Sequence, residues 1–269
     1  MTAAELFWVG LALKMLLTAT VVVVTSLLVE RSGPFVGALI GSLPTAAGAA
    51  YIILAIQQPP DFIAASAIGT VTVNGAIAVF ALIYAAMAQR HGLVVSLGSA
   101  TLAWFAIAAA LRAFDWTLPG AVAINVIVYA VTIPLSWRYR EAQPGPVRFL
   151  RTRYDIPLRA LTAAVVVSAV TTLSSSIGSF ASGAFAVFPI ILGSSIVIMH
   201  PRIGGKITGS MLAHAQFPLM GLAFGFVAVY FLVAPAGVWW ALLGGLAVSL
   251  AWSGALLLIN IKMRRRRAG

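Results

Sequence analysis

Apolar stretches of about 20 residues, nearly free of charge, follow one another along almost the whole of this chain. Charged residues make up 9% of the 269 positions and apolar ones 61%, against about 25% charged residues in a soluble domain. In water such a chain would expose far more apolar surface than a folded monomer tolerates. Lipid is therefore its solvent. Inside a bilayer the backbone must satisfy its own polar groups, so only helices or a closed barrel can cross. Barrel strands alternate polar and apolar residues over roughly 10 positions. These runs are longer and do not alternate, so the expected fold is all-α, a polytopic bundle of transmembrane helices.

Nine spans can be read. They are Leu6–Val29, Pro34–Ile56, Phe62–Ala88, Leu93–Leu111, Leu118–Trp137, Pro157–Ile177, Gly183–Met199, Ile207–Val233 and Trp239–Ile261. An Arg-rich linker from Arg138 to Asp155 separates spans 5 and 6. Span 7 is short, which suits a half-buried or re-entrant element. The start, Met1-Thr-Ala-Ala-Glu5, has no basic region before its apolar stretch, so a retained first span is expected rather than a cleaved signal.

The formal net charge of +11 would suggest nucleic acid in a soluble protein. Here the cations cluster in loops and tail, which points to topology instead. The tail from Lys262 to Arg267 and the linker carrying Arg138, Arg140, Arg148, Arg151 and Arg153 both belong on the cytoplasmic side. Four spans lie between them, so the two assignments agree. Arg31, Arg90, Arg202 and Lys206 then fall inside as well. Glu5, Asp61, Asp115 and Arg112 fall outside. The N-terminus is placed out and the C-terminus in. Helical spans of this kind suit a bacterial inner (cytoplasmic) membrane.

The two halves carry the same landmarks in the same order. Leu13-Lys14 and Leu158-Arg159 open them. Pro44 and Pro189 follow, each with glycine four residues on, at Gly48 and Gly193. Next come Gly69-Thr70 and Gly209-Ser210, with Asn74 and His214 five residues after the glycines. Ala103-Trp104 and Ala251-Trp252 close the series. The expected organisation is a repeat of spans 1–4 (residues 1–115), a connector of span 5 and linker (116–155), and a second repeat of spans 6–9 (156–269). An odd connector inverts the second copy, as in many secondary transporters.

The stretch from Lys14 to Ile56 resembles the GlpM-like family of small bacterial inner-membrane proteins. The likeness rests on Lys14, a Val-rich run, Gly37-Ala-Leu-Ile-Gly-Ser-Leu-Pro44-Thr45 and Tyr51-Ile52. Family members are about half this length, so the resemblance implies a fused, inverted pair of such units in an inner membrane. It implies little about activity.

Several residues suit a solute site. Proline removes a backbone donor and clashes with the turn before it. Two helices broken at Pro44 and Pro189 could cross at the midplane and aim their ends at a substrate. Close packing of two kinked helices through small residues is the competing reading. Ser42, Thr45, Ser194 and their glycine neighbours surround these prolines. Lys14 lies about 12 Å into span 1, where a cation marks a function unless it snorkels or pairs. Asn74 and His214 either line a polar cavity or serve as interhelical hydrogen-bond partners. The expected substrate-binding set is Lys14, Ser42, Pro44, Thr45, Asn74, Pro189, Ser194 and His214.

No carboxylate falls mid-span, which disfavours carboxylate-based cation coupling. No HExxH, GxSxG or Walker motif occurs, and there is no cysteine. An enzyme, a cofactor and a metal are therefore not expected. The leading reading is a secondary transporter or facilitator for a small anionic or zwitterionic solute. A membrane scaffold or assembly subunit is the alternative, and an oligomeric channel a further one. The expected partners are membrane lipid and the solute, with no nucleic acid; a homodimer is left open.

Overall fold

A computed structural model describes residues 31–32, 34–141 and 155–268, with scattered positions between 12 and 28. Over most of 155–173, and over 264–268, the description is of the backbone. Much of span 1, Lys14 with it, and most of the Arg-rich linker lie outside the described residues. Everything else is helix or short turn, and no strand occurs among the described residues. In chain order the helices are α1 (Pro34–Gly41), α2 (Thr45–Gln57), α3 (Pro60–Met87), α4 (Leu93–Leu111) and α5 (Leu118–Trp137). Then follow α6 (Asp155–Ala186), α7 (Ile190–Ile203), α8 (Gly205–His214), α9 (Gln216–Ala236) and α10 (Val238–Ala268).

Among the described residues, six helices are long and apolar enough to cross a membrane, with Ala38–Gln57 counted as one, or seven if one bent pair counts as a single span. This supports a membrane-embedded helical bundle. Spans 3, 4, 5 and 9 fall within a few residues of their expected limits, because charge or proline bounds each apolar run. Spans 2, 7 and 8 are interrupted. Spans 2 and 7 break at the expected prolines. Span 8, long enough in sequence to tilt or kink, divides at Ala215 into α8 and α9. Pro218 is the cause. It has no N–H to give the His214 carbonyl, so the ladder loses a rung there. Spans 6 and 7 join within α6 at Gly178, whose φ of 81° needs no side chain.

α3 is the axis of the bundle. It packs against α2, α4, α5, α6, α8 and α9, and 78% of its apolar window is buried. The outer helices α4 and α10 are buried over only 17% and 11% of theirs. Their outer faces carry Val94, Leu102 and Leu258, a surface that only hydrocarbon can solvate. Lipid offers no hydrophobic drive between helices, so close backbone approach and polar contacts must hold the axis. Small residues permit it. A Cβ on Gly183 of α6 would strike the Ser66 carbonyl of α3, and one on Gly69 would stand 2.6 Å from the Phe180 carbonyl.

Gly183→Leu should therefore wedge α6 from α3 and lower stability by about 1–3 kcal/mol, read as thermal unfolding in detergent. Gly98→Ala in α4 meets nothing within 4 Å. It should be neutral or stabilising by up to about 1 kcal/mol.

Candidate functional site

The two helix breaks are built alike. α1 ends as the Ser42 amide donates to Ala38 and the Leu43 amide to Ile40. Pro44 then caps α2 with φ −74° and ψ 41°, and its carbonyl accepts the Gly48 amide at 2.6 Å. In the second half Val187 donates to Ala184 and Phe188 to Phe185. Pro189 caps α7 with φ −74° and ψ 57°, and its carbonyl accepts the Gly193 amide at 2.8 Å. The chain bends by 46° across this second break. A serine turns back on its own helix in each. Ser42 Oγ donates to Leu39, and Ser194 Oγ to Ile191.

The breaks face each other across one cavity of about 40 Å³. Ser42, Leu43 and Pro44 form one wall, Phe188 and Pro189 the other, with Ile77 and Leu219 between. The volume admits roughly two or three waters and no larger solute. Ala46 and Ala47 of α2 and Ile191 and Leu192 of α7 also line it. Their amides have no backbone acceptor among the described residues, as the first turn of a helix dictates. Two positive helix ends thus converge on one space whose described lining carries no ionisable side chain. Such a space can solvate an anionic group, but its lining holds no acid or base for catalysis.

An apolar cleft lies behind each break. One, of about 360 Å³, is bounded by Pro189, Gly193 and Ser194 with Phe80, Leu97 and Thr101. The other, of about 420 Å³, is bounded by Pro44, Gly48 and Tyr51 with Phe226, Trp239 and Leu246. Gly48 and Gly193 each leave open space where a Cβ would stand. Trp104 of α4 backs Phe188, with ring centres 4.9 Å apart.

Of the expected site residues, Ser42, Pro44 and Pro189 meet on the cavity wall. Thr45 opens α2 beside them, its side chain outside the described set. Ser194 faces the cleft behind Pro189. Asn74 and His214 are not on the cavity. Asn74 is buried between three helices: its Nδ2 donates to the Leu219 carbonyl, and its Oδ1 accepts the Tyr129 hydroxyl at 2.7 Å. The interhelical reading of Asn74 is the one its contacts match. His214 ends α8 with its ring edge-on to Phe35 of α1, centroids 6.1 Å apart.

Sequence reasoning missed the junction that positions the site. Thr70 Oγ1 donates to the Gly183 carbonyl at 2.8 Å, so the Tyr51 hydroxyl, 2.7 Å away, must donate to Thr70. One hydroxyl ties α2 and α6 to α3. Tyrosines at mid-span in an otherwise apolar run were the available signal. Arg140 was read as a topology charge only. Its Nε donates to the Ala213 carbonyl, its guanidinium lies 5.4 Å from the Phe217 ring centre, and its carbonyl accepts Ser210. Burial lowers its pKa below that of a free guanidinium.

No family model, curated protein or solved structure matches this chain.

Thr70→Val keeps the shape but orphans the Tyr51 hydroxyl and the Gly183 carbonyl. It should lower stability by about 1–3 kcal/mol, measured by denaturation in detergent, with Thr70→Ser restoring most of the loss.

Proposed function

We propose that the protein is a secondary transporter or facilitator for a small anionic or zwitterionic solute. One observation carries this reading: two proline-capped helix ends of matching geometry oppose each other across one small cavity. In transporters, helices broken at mid-membrane use their positive ends to hold anionic substrate groups. With room for only a few waters, the cavity must widen in this reading to admit a solute. The two clefts give α2 and α7 space to swing in either direction.

The nine-span, four-one-four inverted repeat belongs to the same proposal. The matched breaks support it, and so do the clefts. One cleft is bounded by spans 3, 4 and 7, the other by spans 8, 9 and 2 together with Val21 of span 1. Val21 apart, those sets exchange when span 2 is swapped for 7, 3 for 8 and 4 for 9. A fused pair of GlpM-like units in a bacterial inner membrane, N-terminus out and C-terminus in, is the family reading that goes with this architecture. Lys14 would add charge on the approach from span 1.

A second reading, a non-transporting scaffold or assembly subunit, is favoured by the small cavity and by the bonding of the buried Asn74 amide. Proteoliposome uptake and efflux across a broad panel of small anions separates the two: saturable flux is expected, and its absence for every member removes transport. Gly48→Leu and Gly193→Leu place a side chain in each cleft from a Cβ position that meets nothing within 4 Å. Each should cut flux roughly tenfold by blocking movement of the broken helices while leaving thermal stability unchanged or raised. Lys14→Met should cut flux with folding intact; unchanged flux would make Lys14 a snorkelling residue.

A further inference from the structure

Away from the broken helices, the turn between α3 and α4 lies against the turn between α7 and α8. The two border an open cleft of about 600 Å³. Its walls carry Arg90, His91, His200 and Lys206 and no carboxylate. Arg90, His91 and Lys206 are exposed, whereas His200 is half-buried and its Nδ1 lies 2.7 Å from the Tyr84 hydroxyl. Asp61 and Asp115 stand at the opposite ends of α3 and α4. The arginine and lysine charges therefore share one concave space without an acid in its walls.

The backbone adds donors. Gly204 turns the chain with φ 84°. Gly205 then brings the start of α8 so close to the end of α3 that a Cβ would strike the Ala88 carbonyl and the His200 ring. Gly205, Lys206 and Ile207 all line the cleft. Their amides have no backbone acceptor among the described residues; the Gly204 carbonyl accepts Thr208 through both its amide and its hydroxyl. Cationic side chains with a helix N-terminus form the donor set that a tetrahedral oxyanion requires.

We infer that this cleft between the 88–91 and 203–207 turns binds a phosphoryl anion, with Arg90 and Lys206 supplying charge and the first turn of α8 supplying amide donors. This site is independent of transport. It lies at the ends of apolar helices, where anionic lipid headgroups and free phosphate both have access. The chemistry is the same for the two sources, and the experiment distinguishes them.

The purified protein in neutral detergent is titrated with phosphatidylglycerol, phosphatidylcholine or inorganic phosphate. Binding is read by native mass spectrometry and by the shift in unfolding temperature. The comparison is a variant carrying Arg90→Gln and Lys206→Gln, two exposed positions whose loss should leave unfolding without ligand unchanged. Binding of phosphatidylglycerol in preference to phosphatidylcholine, weakened at least roughly tenfold in the variant, assigns a lipid headgroup. The same loss seen with inorganic phosphate assigns the free anion. Failure of both anions to bind, or binding that the double substitution leaves unchanged, overturns the inference.

Discussion

The Thr70 hydroxyl holds the two broken halves of this bundle to its central helix. It donates to the Gly183 carbonyl and receives the Tyr51 hydroxyl. Tyr51 lies in α2, just past the first break, and Gly183 lies in α6, just before the second. One side chain therefore sets both breaks against α3. This works only because the backbones come close. Gly183 has no Cβ to hold Ser66 away, and Gly69 lets Phe180 approach. In water, hydrophobic burial would supply most of the attraction between helices. In lipid it does not, so close contact and interhelical hydrogen bonds must supply it. The junction is also fully buried, where an unmade bond carries its full desolvation cost.

The same economy explains the other polar groups at the axis. Asn74 joins α3 to α9 and α5, Asn125 donates from α5 to the Val71 carbonyl, and Gln216 donates from α9 to Ala78. Each anchors on a backbone carbonyl of another helix. The central cavity stands apart from this pattern. Its described side chains carry no charge, and the polarity left to it is that of the two helix ends. The clustered cations lie elsewhere, in the cleft beyond α3 and α7. The two spaces thus differ in their physics: oriented backbone dipoles in one, and full side-chain charges in the other.

Much of the fold was legible because its signals are local. Spans 3, 4, 5 and 9 end where charge, glycine or proline ends an apolar run. The breaks at Pro44 and Pro189 follow from a missing N–H and a ring clash, which no neighbour can repair. The division of span 8 at Ala215 has a local cause too, in Pro218. The length of span 8 allows a kink, but hydropathy runs unbroken through His214 and does not mark its place. The candidate site was half legible: Ser42 and the two prolines meet on the cavity as their motif implied. Asn74 and His214 do not join them, because mid-span polarity marks a need for a partner without naming one.

What the sequence by itself determined was the solvent, the helical state and the places where helices must stop. Apolar run length, backbone satisfaction and proline chemistry settle those within a few residues of chain. The tertiary structure decided which groups meet. Thr70 reaches Gly183 across 113 positions, and Asn74 reaches Leu219 across 145. No local preference encodes those pairings. They depend on which helices lie side by side around α3, and on glycines that allow carbonyls to come within reach.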